Sequence, residues 1–272
     1  MKFAMSEGQK RFYKDLAALV IPISIQNLLT NAVNSADVFM LGYVGQSALS
    51  AVSLANQFQF ILGGFFFGIT SGITMLASQY WGKKDTDSIQ TVMGIAMKIS
   101  FVICLIIFCG AVFAPEVLMK IYTNDAELIA IGVSYLRVIG TSYLLMSVSQ
   151  VYLCILRSTE RAKISTAISS TALILNIALN AVFIFGLFGM PKLSVVGVAI
   201  ATVISRVVEV VLCVVDMMRG KSFQVKLSTV FARNKLLFQD YLKYSIPALT
   251  NDILWTLAFS TYSIIMGHMN SD

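Results

Sequence analysis

Apolar residues come in seven long runs, separated by short polar or charged turns. The runs are about 16–41, 48–80, 89–114, 127–156, 164–185, 193–218 and 244–266. A bilayer core takes roughly 20 apolar residues of helix, so each run is long enough to cross it. The pattern predicts an all-α polytopic membrane protein, a six-helix transmembrane lobe followed by a seventh helix. Residues 1–218 form the expected lobe, 219–243 a linker, and 244–272 the first helix of a truncated second lobe. Residues 115–125 read as a connector holding a short interfacial helix.

Polar positions inside the runs mark faces. In the first run Asn27, Thr30, Asn34 and Asp37 are spaced by 3, 4 and 3 residues, which predicts one polar stripe on a helix. An acid inside a membrane costs on the order of 2.5–3.5 kcal/mol on insertion scales, so the stripe is expected to face a bundle interior or a wet cavity. For its neutral members, simple helix-to-helix hydrogen bonding is the competing reading. In the second run Gly64, Gly68 and Gly72 leave one face as bare backbone, which predicts a closely packed neighbour.

The runs also repeat. Ile21-Pro22 opens the first and Leu41-Gly42 closes it; Ile246-Pro247 and Met266-Gly267 do the same in the seventh, 225 residues later. Six spans and a restart is the plan of a two-lobed transporter with parallel halves. A complete protein of that plan needs roughly 450 residues, so the chain is expected to be half of one.

Composition agrees with the pattern. Of 272 residues only 12% are charged, and mean hydropathy is +0.79, against about 25% charged in soluble domains. The net charge of +6 does not indicate nucleic acid, because the basic residues lie in the turns. Fifteen of the 20 Lys and Arg fall in the N-terminus, the turns after Trp81 and at Arg157, and the 219–243 linker; the alternate connectors hold Lys120 and Lys192. The positive-inside rule therefore places the N-terminus in the cytoplasm. Cys104, Cys109, Cys154 and Cys213 all lie in apolar runs and read as small buried hydrophobes, without metal spacing or a disulfide framework.

Candidate chemistry is sparse. Asn176 and Asn180 share a face of the fifth run, and Thr202 lies at a similar depth in the sixth. With Asp37 they supply the oxygen ligands that Na+ accepts, and the carboxylate can carry a proton instead. Arg206 and Glu209, at i and i+3, read as a structural pair. Lys98 and Arg137 read as side chains that snorkel to a surface. No nucleophile–base pair, zinc spacing or phosphate-binding glycine loop is seen, so an enzyme is not expected.

At these residues the chain resembles the N-terminal lobe of the multidrug and toxic compound extrusion family. The resemblance rests on Ile21-Pro22, on Asn34-Ser-Ala-Asp37-Val-Phe-Met-Leu-Gly-Tyr-Val-Gly, on Ala51-Val-Ser-Leu-Ala-Asn56 and on Ser78-Gln-Tyr-Trp-Gly82-Lys. It continues in Asn176-x-x-x-Asn180, Phe183-Ile-Phe-Gly186 and Gly197-Val-Ala-Ile-Ala-Thr202-Val-Ile-Ser. It implies a twelve-helix antiporter of the plasma membrane that expels drugs or organic cations in exchange for Na+ or H+, with no other cofactor. It further implies a cation site at Asp37, Asn176, Asn180 and Thr202, with Tyr135 beside them, and a substrate cavity that includes Asn27, Thr30 and Asn34. Some members carry a second Asp where this chain has Asn180, which leaves the choice of ion open. Two rivals stand beside efflux: a lipid-linked oligosaccharide flippase of the same superfamily, expected to line its cavity with cations, and a membrane scaffold that transports nothing.

Overall fold

The computed structural model describes residues 7–219, 227–230 and 234–268. Among these the chain is helical throughout. The helices are α1 (Glu7–Val44), α2 (Gln46–Ala55), α3 (Gln57–Gly82), α4 (Thr86–Phe113), α5 (Pro115–Tyr122), α6 (Ala126–Ser158), α7 (Ala162–Phe185), α8 (Ser194–Arg219), α9 (Leu227–Val230) and α10 (Lys235–His268). Six helical stretches are long and apolar enough to cross a membrane: α1, α2 with α3, α4, α6, α7 and α8. The chain is a multi-pass membrane protein.

The ends of the helices follow from local chemistry. Asp85 caps α4, its Oδ1 accepting the Ser88 N–H at 3.0 Å. Asp125 caps α6 through the Glu127 and Leu128 N–H groups at 2.8 and 3.3 Å. Gly186 closes α7 at a φ of 70°, a left-handed conformation that needs no side chain, with its N–H on the Val182 carbonyl. The expected connector at 115–125 does hold a short helix, α5.

Two boundaries differ from the sequence reading. The second run is one span, as expected, but it is interrupted at Asn56, which keeps helical angles (φ −69°, ψ −10°) between α2 and α3. The 219–243 linker gives its last nine residues to α10. Asn234 caps that helix, its Oδ1 accepting the Leu236 and Leu237 N–H groups at 3.1 Å each, and Leu237 and Tyr241 bury one turn apart. Residues 220–226 and 231–233 of the expected linker lie outside the described residues. α10 is 34 residues long but, against the expectation of seven crossing runs, is not among the stretches apolar enough to cross, because Asn251, Asp252 and several Ser and Thr interrupt its apolar residues.

α6 is the central post. It packs on α4, α8, α3 and α2, and buries Tyr135, Leu136, Ile139, Tyr143 and Tyr152. A helix surrounded on all sides shows no single apolar stripe. α1 lies at the edge against α7, with most of its large apolar side chains exposed. Cys104, Cys154 and Cys213 are buried as expected; Cys109 faces outward on α4.

The glycine face of α3 has its expected neighbour, and that neighbour is α10. A Cβ on Gly64 would sit 2.6 Å from Thr256 Oγ1, and one on Gly68 would sit 2.7 Å from the Leu249 Cα. Only bare backbone admits so close an approach. Hydrogen bonds fasten both ends of the seam. The Tyr241 hydroxyl donates to the Ile69 carbonyl at 2.9 Å, and Tyr122 of α5 meets the Ser260 hydroxyl at 2.7 Å. The seventh helix thus closes one side of a cavity that the six-span lobe alone would leave open.

Candidate functional site

The cavity measures about 820 Å3 and is walled by α1, α2, α3, α6, α7, α8 and α10. From α1 it takes Gln26, Thr30, Asn34 and Asp37. Asn27 does not line it and is exposed, against the expected stripe. The reason is helical drift. At about 100° per residue, Asn27 lies roughly 80° around the helix from Asp37, whereas Gln26 lies within about 20°. Spacings of 3, 4 and 3 look like one face locally, yet they sum to 10 residues, well short of three full turns. Thr30 also spends its hydroxyl on its own helix, donating to the Gln26 carbonyl at 2.9 Å.

Four of the predicted site residues form one hydrogen-bonded chain across three helices. Asn180 Nδ2 donates to Asp37 Oδ1 at 2.7 Å and to Asn176 Oδ1 at 3.3 Å. Asn176 Nδ2 donates to Thr202 Oγ1 at 3.2 Å, and the Thr202 hydroxyl donates to the Val198 carbonyl at 3.0 Å. The chain therefore joins α1, α7 and α8 at a single level. Tyr135 lines the same cavity, but its hydroxyl donates to Asn56 Oδ1 at 3.0 Å. The residue that interrupts the second run is thus the partner of this tyrosine.

The electrostatics at this level are unbalanced. Among the described residues Asp37 has no ion pair; its hydrogen bond comes from an amide. Asn180 is fully buried, and its Oδ1 has no hydrogen-bond partner. Gln26 Oε1 and Ser169 Oγ, at the cavity wall, are buried without partners too. Buried polar atoms are nearly always paired, so two orphans on the wall, with the Asn180 oxygen behind Asp37, mark a place built to receive something polar. Asp37 and the Asn180 oxygen ask for a positive charge.

The rest of the wall carries groups that the sequence reading left aside. Arg206 and Glu209 form the expected pair at 2.7 Å, yet both line the cavity. Opposite them α10 offers Asp252, Trp255 and Phe259. Trp255 stacks on Phe259 at 5.6 Å between centroids, and Phe60 of α3 meets Phe259 edge-on at 6.2 Å. Periodicity within α10 signals this face, since 252, 255, 256 and 259 share one side of a helix. Lys98 and Arg137 are exposed and do not line the cavity.

A lobe of six spans, a closing seventh helix and an acid-amide-hydroxyl chain between α1, α7 and α8 can be compared with known proteins. The MatE family model matches residues 22–182. The chain belongs to the MatE family. Members of the family are transporters and not enzymes. Among relatives, the uncharacterized transporter YisQ of Bacillus subtilis is 30% identical over 93% of this chain and 56% of its own length. The probable multidrug resistance protein YoeA of the same organism is 26% identical over 96% of this chain and 57% of its own. In fold, a MOP superfamily transporter from Pyrococcus furiosus superposes with a TM-score of 0.81 at 21% identity, covering 90% of this chain and 54% of that one. The MatE chain here spans about half the length of the curated relatives it matches.

Proposed function

We propose that this MatE chain is one half of a secondary active efflux transporter, exporting drugs or organic cations in exchange for Na+ or H+. The observation that carries the reading is Asp37: a carboxylate in a spanning helix, without a counter-charge among the described residues and bonded to an amide whose own oxygen is buried and unpartnered. Na+ would sit among Asp37, Asn180 and Asn176 oxygens; a proton would sit on Asp37 alone. Either neutralises the acid and lowers the penalty for a charge in low dielectric. Neutralisation changes what holds α1 against α7 and so biases the equilibrium between outward- and inward-open states. The curated relatives named for multidrug resistance support drugs as the cargo.

In this reading the basic turns and the N-terminus face the cytoplasm, and the protein lies in the plasma membrane. It works with the rest of a second lobe, of which α10 is the first helix, since its relatives are nearly twice as long. A flippase for lipid-linked sugars is disfavoured by the wall of the cavity. Among described residues that wall holds Asp37, Glu209 and Asp252 against one cation, Arg206.

The test joins this sequence to a second half in proteoliposomes and follows a fluorescent organic cation under separately imposed Na+ and H+ gradients. Wild type should respond to one gradient. Asp37→Asn should insert normally and lose that response. Equal export by Asp37→Asn and wild type would remove the proposed coupling role.

A further inference from the structure

The start of α4 lies behind the cavity, and it is covered more fully than a helix end usually is. Every residue from Ile89 to Ala96 is buried, the polar Gln90 and Thr91 included. α3, α6 and α10 pack on α4, and so does α9, a four-residue piece of the stretch between α8 and α10. The α9 contact is backbone on backbone. A Cβ on Gly94 would sit 2.7 Å from the Val230 carbonyl carbon, so only a glycine admits α9 at this depth. Gln90 and Thr91 share that face with Gly94, and Thr91 spends its hydroxyl on the Asp87 carbonyl at 3.0 Å. Val230 is buried in return and joins the apolar core.

Docking changes the reach of the chain. Sixteen peptide units separate Arg219, the end of α8, from Lys235, the start of α10. Extended, they reach about 55 Å, which restrains nothing in a bundle of this size. Only five separate Val230 from Lys235, and these reach about 17 Å. The start of α10 has one other tie of its own, the Tyr241 hydroxyl on the Ile69 carbonyl. One such bond shifts an equilibrium by about tenfold at most, so it opens transiently. What limits the travel of this end while the bond is open is the short piece of chain behind Val230.

We propose that α9 is a strap: seated on Gly94, it ties the starting end of α10 to α4, so that α10 tilts about this end without leaving the lobe. Any helices that follow α10 then pivot about the strapped end. The strap is read from packing and chain length alone and does not need the export function.

The test measures distances between spin labels on the purified chain in lipid nanodiscs, with Cys109→Ser removing the exposed native thiol. One pair, at exposed Asp87 and Leu236, reports the strapped end; another, at exposed Asn124 and Thr261, reports the far end. Tyr241→Phe deletes the hydrogen bond to Ile69 and leaves the strap to act alone. With Tyr241→Phe by itself, the Asp87–Leu236 distribution should keep its wild-type width. A six-residue Gly-Ser insert after Arg233, a change that costs a fold little, doubles the reach behind Val230. Added to Tyr241→Phe it should widen that distribution about twofold. Gly94→Val, which leaves no room for Val230, should widen it as much. The Asn124–Thr261 width should hold throughout. The strap is overturned if Tyr241→Phe alone widens the first distribution, if the insert or Gly94→Val fails to widen it, or if both pairs widen together, as a loosened seam would make them.

Discussion

Two aspartates sit at opposite ends of the α7–α8 pair, and they are satisfied in opposite ways. Asp216, near the end of α8, accepts from Arg161 at 2.8 Å and from the Tyr152 hydroxyl at 2.7 Å. Arg161 is the N-cap position of α7, so this cluster ties α6, α7 and α8 together. Asp37, at the other end, is held by one amide and among the described residues meets no cation. A carboxylate with a counter-charge and a hydroxyl is itself finished, although Arg161 Nη1 beside it is buried without a partner, and its energy goes into structure. A carboxylate left with an amide and an orphaned oxygen is unfinished, and its energy is available to a ligand. Each substitution below separates these roles or erases the difference.

The largest effect should come from the finished cluster. Arg161 and Asp216 are only 16% and 19% exposed. Removing one partner of a buried pair strands the other, at about 3 kcal/mol. Arg161→Leu should therefore lower the melting midpoint in detergent, with lost transport only in proportion to lost folded protein. Asp37→Asn should leave the midpoint at or above wild type. A drop for Asp37→Asn as large as that for Arg161→Leu would mean that both aspartates are structural.

The unfinished site should show itself as protection by an ion. A ligand at ten times its Kd stabilises the folded state by about 1.4 kcal/mol. If Na+ is the coupling ion, raising NaCl in place of KCl should raise the midpoint of wild type by that equivalent. It should leave Asp37→Asn unmoved and protect Asp216→Asn as it does wild type. Equal protection of Asp37→Asn would place the ion elsewhere.

How much of this was legible in the sequence depended on the range of the interaction. The six spans of the first lobe, the glycine face of α3 and the level shared by Asp37, Asn176, Asn180 and Thr202 follow from periodicity and depth, which are local. The Asn27 reading failed because a spacing rule applied over three steps accumulates a rotation it does not track. The Asp216 cluster was missed because Arg161 counts as a turn cation in sequence, and only the fold sets it against an acid 55 residues away. The partner of the glycine face was unreadable for the same reason. Glycines at 64, 68 and 72 announce a neighbour, but nothing in them says that Leu249 and Thr256 supply it. Arg206 was read correctly as paired to Glu209, yet a pair at i and i+3 does not reveal that both members line a cavity.

A milder variant tests whether the finished cluster acts through charge or through shape. Arg161→Gln with Asp216→Asn removes both charges and keeps hydrogen-bonding groups. Replacing both partners is far less disruptive than stranding one, so the loss should be about 1 kcal/mol. A loss as large as that of Arg161→Leu would show that the charges themselves hold the three helices.

The smallest effect belongs to a third kind of carboxylate, satisfied by a helix end in water. Asp85 lies in the turn before α4, where its Oδ1 accepts the Ser88 N–H and its Oδ2 accepts the Ser88 hydroxyl at 2.6 Å. These bonds hold its carboxyl below the ordinary 3.8, the Ser88 side chain contributing most. Because the folded-state value is lowered, the stabilisation is present above the unfolded value and is lost as pH falls through the folded one. Losing such a cap costs about 0.5–1 kcal/mol. Asp85→Ala should therefore melt slightly below wild type at pH 6, and the gap should close as the buffer is taken below pH 3.8. Asp37→Asn differs from this case because its consequence is read in ion dependence, with little change in stability. A gap at Asp85 that stays constant across the acid range would assign the loss to helix propensity and not to the cap.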